Sequence, residues 1–226
     1  MKKLIINYKA YAEGVDEGKN IAEISKKLAD ETSVDILVVP PFTVLKETSD
    51  ITRTLSQGVN AADTGAFTGH VSAYEISKSG AVGVLLNHSE NRITEPGKKE
   101  IAYQELGKII ESCKKKNLET YVCVQNIEEA RKVTGLEPTA IAYEPPELIG
   151  GNISVSKSKP EIVKEFCDLI KGNSKAFPLI GAGIKTNEDV KKSVELGSEG
   201  ILVASGIMKA KEFRASILEL TDPLRD

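Results

Sequence analysis

The strongest constraint on the fold is an alternation of short apolar runs with longer amphipathic stretches along the whole chain. Runs of this length, rich in Val, Ile and Leu, are typical of buried strands. Eight of them lie at Leu4–Lys9, Val34–Pro41, Val59–Asp63, Val82–Ser89, Thr120–Gln125, Ala140–Glu144, Ala176–Gly183 and Gly200–Ser205. Because the stretches between such strands are helical in parallel sheets, the sequence predicts an α/β fold.

Several of the intervening stretches carry apolar residues at helical spacing together with many Glu, Lys and Ala residues. Pro160 suits the first turn of one helix, and Gly197 suits the position just after the end of another. These patterns predict helices at Asp16–Glu31, Lys98–Lys116, Pro160–Lys171, Asn187–Leu196 and Ala210–Leu220.

The number of units favours a closed barrel over an open sheet. Eight strand–helix units in 226 residues leave about 28 residues for each, near the low end for a (β/α)8 barrel. A doubly wound open sheet has fewer strands and a glycine-rich turn after the first one. Here the first strand continues into Tyr8-Lys9-Ala10-Tyr11, which contains no glycine. We therefore expect one catalytic barrel domain over residues 1–226.

Composition excludes several classes of protein. With 40% hydrophobic and 28% charged residues, the chain has an ordinary globular balance, which argues against a disordered protein. The net charge of −3 and the lack of a long basic run argue against a nucleic-acid partner. No apolar run is long enough to span a membrane, and the first residues lack the features of a signal peptide. Cys113, Cys123 and Cys167 form no CxxC pair, so we expect free thiols in a cytoplasmic protein.

Polar residues cluster where the predicted strands end. In a (β/α)8 barrel these ends meet at one mouth, where the active site lies. Asn7 and Lys9 are two residues apart, which places them on the same side of the first strand. The other strand ends are Asn87-His88-Ser89-Glu90, Tyr143-Glu144-Pro145-Pro146, Gly181-Ala182-Gly183 and Ala204-Ser205-Gly206.

Each of these groups also has a purely structural explanation. Lys9 could be a solvated surface charge, Ser89 could cap a helix, and Glu144 could belong to a turn. Their convergence from three strands favours an active site, because the turns after strands seven and eight are the usual phosphate site of this fold. The set suggests proton transfer on a small phosphorylated substrate. With only Glu90 and Glu144 in suitable positions and two distant histidines, we expect no metal and no cofactor.

Six motifs then point to one family. They are Asn7-Tyr8-Lys9, the loop Thr64–Ser72, Leu86–Arg92, Glu144–Gly150, Gly181–Ile184 and Leu202–Gly206. Together and in this order, they make the chain resemble the triosephosphate isomerase family along its whole length, most of all its short archaeal branch. The resemblance implies a single TIM barrel and an aldose–ketose isomerase of glycolysis and gluconeogenesis. Its substrates would be dihydroxyacetone phosphate and D-glyceraldehyde 3-phosphate.

The resemblance also implies roles for individual residues in a reaction that passes through an enediolate. Glu144 would be the base for carbon, and His88 a neutral electrophile kept uncharged by a short helix that starts near Ser89. Lys9 would supply positive charge, Asn7 would hydrogen-bond near the reacting oxygens, and Glu90 would be an auxiliary site residue. Main-chain N–H groups would bind the phosphate at Ile149, Gly150, Gly183, Ala204 and Ser205.

Two loops complete the expectations from the family. Pro145–Ser156 would be a lid with a stiff Pro145-Pro146 hinge and a tip, Gly150-Gly151-Asn152, that departs from the usual Gly-Thr-Gly. Thr64–Ser72 would insert into a neighbouring subunit beside its Asn7 and Lys9, in a homodimer or homotetramer.

Two other functions stay open at this point. Another phosphate-binding barrel, such as a phosphoribosyl isomerase or an indole-glycerol-phosphate synthase, typically has carboxylates on strands one and five. Strand five here ends Val122-Cys123-Val124-Gln125, which disfavours that class. A non-catalytic barrel is the second alternative, because a fold alone does not determine a function.

Overall fold

Eight parallel strands form a barrel inside a layer of helices in the computed structural model, which describes residues 1–62, 64–98, 100–151 and 153–225. The strands are β1 Lys3–Asn7, β2 Asp35–Val39, β3 Leu55–Ser56, β4 Gly83–Leu86, β5 Glu119–Val124, β6 Ala140–Tyr143, β7 Phe177–Ile180 and β8 Gly200–Val203. The hydrogen-bonded order is β2-β1-β8-β7-β6-β5-β4-β3. A single parallel bridge, Val38↔Thr54, links β2 to the chain just before β3. The predicted (β/α)8 barrel is therefore confirmed.

The third strand was predicted in the wrong place. The structure has a two-residue strand, β3, where the sequence pattern indicated Val59–Asp63. Ser56 Oγ donates to the carbonyl of Gly58 at 2.6 Å, which turns the chain away from the sheet. Asn60 and Val71 then pair with each other, since Asn60 N donates to Val71 O at 2.8 Å. The apolar residues at 59–62 thus form the stem of a loop, and Asp63 lies outside the described residues.

The helices cover the outside of the barrel. They are α1 Glu13–Asp16, α2 Gly18–Thr32, α3 Leu45–Ser49, α4 Ala73–Ser79, α5 Tyr103–Lys115, α6 Ile127–Thr134, α7 Val155–Ser158, α8 Pro160–Asn173, α9 Asn187–Glu195, α10 Ser205–Met208 and α11 Phe213–Thr221. Short 3₁₀ turns lie at Phe42–Val44, Pro146–Leu148 and Asp222–Leu224.

All five predicted helices are present, with shifted ends. The helix predicted from Lys98 begins at Tyr103, because Ile101, two residues earlier, forms an antiparallel bridge with Thr94. Lys99, within the predicted range, lies outside the described residues. The predicted Asp16–Glu31 begins at Gly18, after the separate one-turn helix α1. The predicted Ala210–Leu220 begins at Phe213.

Strand alternation divides the core into two layers and sets up the site. Along β1, Leu4 and Ile6 belong to the layer between sheet and helices, whereas Ile5 belongs to the barrel interior. The next inward position is Asn7, which is buried at the carboxyl end of the strand. The period of two residues thus delivers a polar side chain to the mouth of the barrel.

The opposite end of the barrel is closed by charges. Lys3 Nζ contacts Asp35 Oδ2 at 2.6 Å, and Arg53 Nε contacts the other oxygen of Asp35 at 3.0 Å. Arg53 also reaches Glu119 at 2.8 Å, and the Tyr121 hydroxyl donates to Glu119 at 2.7 Å. These bonds tie β1, β2 and β5 to Arg53, two residues before β3, where a single bridge joins β2 to the chain.

Two further observations concern the thiols and the helices. Cys113, Cys123 and Cys167 are buried and free, and burial raises the pKa of the Cys113 and Cys167 thiols to about 12. Within the described ranges, every helix is too short or too polar to cross a lipid bilayer.

Candidate active site

The carboxyl ends of the strands enclose a cavity of about 40 Å³. Nine of the residues predicted from the sequence line it, namely Asn7, Lys9, His88, Glu144, Ile149, Gly150, Gly183, Ala204 and Ser205. Glu90, the tenth, lies beside the cavity with its carboxylate on Lys9. The lining also includes Tyr11, Ala182, Ile184, Leu202 and Val203, to which the sequence reasoning gave no role.

Lys9 lies beyond the end of its strand in a constrained conformation. The prediction extended the strand to Lys9, but β1 ends at Asn7, and Lys9 has a left-handed backbone with φ +48°. Its N–H donates to Asn7 Oδ1 at 2.9 Å, and its carbonyl accepts from Gln57 Nε2 at 2.8 Å. Its ammonium contacts Glu90 Oε1 at 2.6 Å. Bonds on both sides of the residue thus offset the cost of a left-handed backbone at a lysine.

His88 follows β4 in a tight turn, and the short helix predicted near Ser89 is absent from this described segment. The N–H of Asn91 instead donates to the His88 carbonyl at 2.8 Å. The N–H of Glu90 donates to His88 Nδ1 at 3.2 Å, which requires that Nδ1 carries no proton. The proton of the neutral ring is then on Nε2, the nitrogen that faces Glu144 at 3.6 Å. The backbone N–H of Glu90 therefore keeps Nδ1 free of a proton, a role that the resemblance assigned to the N-terminus of a helix.

Asn87 holds this turn in place. It is buried, and its backbone is left-handed with φ +58°. Its amide Nδ2 donates to the Cys123 carbonyl at 2.8 Å, and its Oδ1 accepts from the N–H of Ile93 at 3.1 Å. The Asn87 amide thereby fixes the start of the turn that carries His88 to β5 and binds Ile93, at the other end of the turn, to itself.

Glu144 is a buried carboxylate with an unsatisfied oxygen. Among the described residues, no group hydrogen-bonds its Oε2 atom. Burial raises the pKa of Glu144, although His88, Cys123 and Lys9 partly oppose that rise. A Cβ atom at Gly181 would lie 2.5 Å from both Cγ and Oε1 of Glu144, so only glycine leaves room for this side chain. An ionised carboxylate held in this way is a stronger base than one in water.

Backbone groups form the other wall of the cavity. Ala182 and Gly183 after β7 are both left-handed, with φ of +67° and +73°. A Cβ atom at Gly183 would lie 2.2 Å from the carbonyl oxygen of Ile153, so the segment after the lid tip packs directly on this turn. The neighbouring strand, β8, is followed by Ala204 and Ser205, and Ser205 is the first residue of α10. Small residues thus leave main-chain N–H groups accessible at the cavity wall.

The predicted lid extends over the same cavity. Its first part forms the 3₁₀ turn Pro146–Leu148, and Ile149 and Gly150 reach the cavity lining. Glu147 forms an ion pair with Lys159, the residue just before α8. Asn152 lies outside the described residues, so the departure at the lid tip falls partly outside them as well.

Most of the loop Thr64–Ser72 is exposed to solvent. Phe67 at its tip is 48% exposed, and its ring stacks on His70 with centroids 5.8 Å apart. Thr68 beside it is exposed as well.

Fold and site together define a class of protein. A buried carboxylate, a neutral imidazole and an ammonium surround one small cavity at the strand ends of a (β/α)8 barrel, which is the equipment of an enzyme that moves protons. The family model described as triosephosphate isomerase matches residues 2–220. The chain belongs to the triosephosphate isomerase family.

Relatives named triosephosphate isomerase agree with this membership over nearly their whole length. That of Caldivirga maquilingensis is 39% identical, with 98% of this chain and 96% of the relative covered. That of Methanocaldococcus jannaschii is 40% identical, with 96% and 97% covered. Both are archaeal, as the resemblance indicated. The crystal structure of triosephosphate isomerase from Bartonella henselae has the same fold, with a TM-score of 0.70, 20% identity, and 96% of this chain and 98% of that chain covered.

Proposed function

We propose that this chain catalyses the interconversion of dihydroxyacetone phosphate and D-glyceraldehyde 3-phosphate, with Glu144 and His88 at the reacting atoms. The observation that carries this assignment is the pair itself. Glu144 Oε2 and His88 Nε2 are 3.6 Å apart and buried at the mouth of the barrel. A base for carbon beside a proton donor for oxygen is what transfer of a proton between adjacent carbons requires.

In this proposal Glu144 removes a proton from the carbon next to the carbonyl group. His88 donates its Nε2 proton to the carbonyl oxygen as negative charge develops there. The resulting enediol collapses to the isomeric product when Glu144 returns a proton to the former carbonyl carbon and His88 regains its proton from the hydroxyl group on the carbon that was deprotonated first. The raised pKa of Glu144 supports the first step, because a base of higher pKa takes a carbon-bound proton more readily.

Lys9 and Asn7 stabilise the negative charge that develops on the substrate oxygen before and during this proton transfer. Lys9, through its ammonium, carries a positive charge among the described residues that line the cavity, and in a site sheltered from water such a charge acts strongly on an oxyanion. Glu90 holds this ammonium from the outside through its contact at 2.6 Å. Glu90 itself is half exposed, which supports an auxiliary role.

The backbone turns bind the phosphate group. We assign this role to N–H groups of Gly183, Ala204 and Ser205, joined by Ile149 and Gly150 of the lid. Closure of the lid excludes water, which protects the enediolate phosphate from elimination.

We also propose that the protein is a homodimer or a homotetramer in the cytoplasm. An exposed aromatic ring on a protruding loop, Phe67 within Thr64–Ser72, supports insertion of this loop into a neighbouring subunit. The three buried free thiols are in keeping with a reducing compartment.

The test is a direct assay of the purified chain. Dihydroxyacetone phosphate and D-glyceraldehyde 3-phosphate should be interconverted in both directions, with no metal or cofactor added. A phosphorylated sugar of the type that phosphoribosyl isomerases use should be left unchanged. A chain that binds triose phosphates without interconverting them would instead support the non-catalytic barrel.

A further inference from the structure

A second buried carboxylate, that of Asp189, lies behind the cavity wall rather than in it. Asp189 is in the first turn of α9, and 5% of its surface is exposed. Its two oxygens point to two different segments of the chain. One oxygen bonds to the loop that follows β7, and the other bonds to α7, which follows the lid.

The first set of bonds fixes the end of the turn after β7. Asp189 Oδ2 accepts hydrogen bonds from the backbone N–H groups of Lys185 at 3.1 Å and Thr186 at 3.0 Å, and from the Thr186 hydroxyl at 2.9 Å. The same turn holds Ala182 in a left-handed conformation. An alanine keeps such a conformation only where surrounding bonds determine the path of the chain. Asp189 supplies bonds of this kind at the far end of the turn.

The second set of bonds fixes the segment after the lid. Lys157 Nζ contacts Asp189 Oδ1 at 2.9 Å, and Ser156 Oγ donates to the Asp189 carbonyl at 3.2 Å. This segment also touches the turn directly, since the N–H of Val155 donates to the carbonyl of Ala182 at 3.2 Å. Burial alone would raise the pKa of Asp189, but its bonds to Lys157, Lys185, Ser154 and Thr186 outweigh burial and lower that pKa to about 2.

Capping of α9 alone does not explain this arrangement. Helix α4 has a capping box of the same kind, in which Ser72 pairs with Glu75. Glu75 is exposed, and its hydrogen bonds go to Ser72. Asp189 is buried and adds the Lys185 N–H group and the Lys157 ammonium to its capping bonds. These additional partners belong to the two segments that border the proposed phosphate site.

We propose that Asp189 is a positioning residue that holds the phosphate-binding turn and the lid stem together as one unit. Here the turn is residues 181–186 and the lid stem is residues 153–158. Rigid coupling means that capture of the phosphate by the turn and ordering of the lid occur as one event. This inference rests on the proposed function for its kinetic consequence, but the physical coupling of the two segments does not depend on the reaction.

The experiment compares Asp189→Asn with three variants, namely Glu188→Gln, Thr186→Ala and Lys157→Met, the last of which removes the ammonium that contacts Asp189 Oδ1. Asp189→Asn keeps the shape of the side chain, but it replaces one accepting carboxylate oxygen with an NH2 group, which cannot accept hydrogen bonds from the surrounding donors. Glu188→Gln removes the charge of the neighbouring residue, an exposed carboxylate that lies 3.7 Å from Lys157 Nζ. Thr186→Ala removes the capping hydroxyl and leaves the backbone N–H groups. The readouts are KM and kcat for triose phosphate, inhibition by inorganic phosphate, and amide exchange of the turn and the lid stem.

Asp189→Asn should raise KM and the inhibition constant of phosphate at least about tenfold, as expected for loss of hydrogen bonds to a charged group. Its kcat should change less. Exchange should accelerate in the turn and in the lid stem together, whereas Glu188→Gln should match the wild type. Lys157→Met should accelerate exchange in the lid stem and leave the turn protected.

Two results would overturn the inference. One is an Asp189→Asn protein with a lower melting temperature but wild-type KM and phosphate inhibition. The other is a Thr186→Ala protein that reproduces every change, since capping would then suffice. If Asp189→Asn does not fold, the Lys157→Met and Thr186→Ala exchange patterns still decide between coupling and capping. An inactive wild type would refute the proposed function, and the exchange data would still test the coupling.

Discussion

The two ends of the barrel differ in how their carboxylates are paired. At the amino end, the Arg53 guanidinium bridges Asp35 and Glu119, and Lys3 and Tyr121 complete the network. Each carboxylate in that network has at least two partners. At the carboxyl end, Oε2 of the buried Glu144 lacks a hydrogen-bond partner within the described part of the chain.

The backbone does not share this contrast. Lys9, Asn87 and Ala182 follow the carboxyl ends of their strands and are left-handed residues other than glycine, and so are Ser33, Asn117 and Glu137, which lie in the loops that lead into β2, β5 and β6 at the amino end. Such residues cost free energy of about 1–2 kcal/mol each relative to a relaxed backbone. Both ends carry left-handed residues, so the difference between them lies in the pairing of their carboxylates and not in the backbone.

The largest test of this contrast is Glu144→Gln. The amide fills the same space but cannot accept a carbon-bound proton, so turnover should fall by about 10²–10⁴ or more. Binding of a phosphorylated transition-state analogue should persist. At neutral pH the variant should also unfold at a higher temperature, because an unpaired buried carboxylate has been removed. Steady-state kinetics and calorimetry measure the two effects. Undiminished turnover would exclude Glu144 as the base.

The next largest effect is expected for Lys9→Met. Loss of the ammonium should lower kcat by about 10²–10³, the usual consequence of removing an oxyanion partner, and should also weaken substrate binding. Glu90→Gln is the control variant, because it leaves the ammonium of Lys9 in place and removes only the negative charge that contacts it. It should cost much less than Lys9→Met. A Lys9→Met protein that differs from the wild type only in melting temperature would make Lys9 a structural residue.

The barrel and its mouth were predictable from the sequence because they depend on simple periods. Seven of the eight predicted strands, their strand-end residues and the alternation that turns Asn7 inward all follow from side-chain geometry. The third strand was not predictable in this way, because Leu55–Ser56 is only two residues long. A longer apolar run, which begins at Val59, lies next to it in the loop stem. An apolar run predicts burial, but it does not distinguish burial in a sheet from burial under a loop.

The parts of the site that the sequence left out depend on tertiary contacts. Gln57 supports Lys9 through the Lys9 carbonyl, from 48 residues away, and no local pattern indicates such a bond. Two overlooked signals were readable. Ser72–Glu75 and Thr186–Asp189 both have the spacing of a capping box. The first marks α4, which the prediction missed, and the second contains the Asp189 carboxylate.

Thr68→Glu tests whether the carboxyl end is completed by a second subunit. A carboxylate buried in an interface without a partner costs several kcal/mol of binding free energy, so the oligomer should dissociate. Sedimentation should show a smaller species with reduced activity, whereas Thr68→Ser should behave like the wild type. A wild-type chain that sediments as a fully active monomer would refute the proposed role of the loop.

Arg53→Met tests the amino end. Its loss leaves Glu119 and one oxygen of Asp35 without their cation, which should lower the free energy of unfolding by about 1–3 kcal/mol. Because Arg53 is far from the cavity, kcat and KM should stay at wild-type values. Arg214→Met is the matched control, since its ion pair with Glu31 is half exposed on both sides and should contribute less than about 1 kcal/mol. A loss of activity without a loss of stability would contradict the conclusion that the charges at the amino end serve stability and not the site.

The smallest expected effect is a pH dependence that Glu144 alone imposes on stability. Because burial raises the pKa of Glu144, the folded protein holds this proton more tightly than the unfolded chain does. The contribution of Glu144 to the free energy of unfolding should therefore fall as the pH rises from the ordinary range of a glutamate through the raised pKa of the folded state. Glu144→Gln has no proton to lose, so its stability advantage over the wild type should grow across that interval and then level off. Chemical unfolding of both proteins at a series of pH values measures the difference directly. A difference that stays constant with pH would mean that Glu144 ionises in the folded protein as it does in water, and the contrast between the two ends would then be limited to the hydrogen-bond partners of their carboxylates.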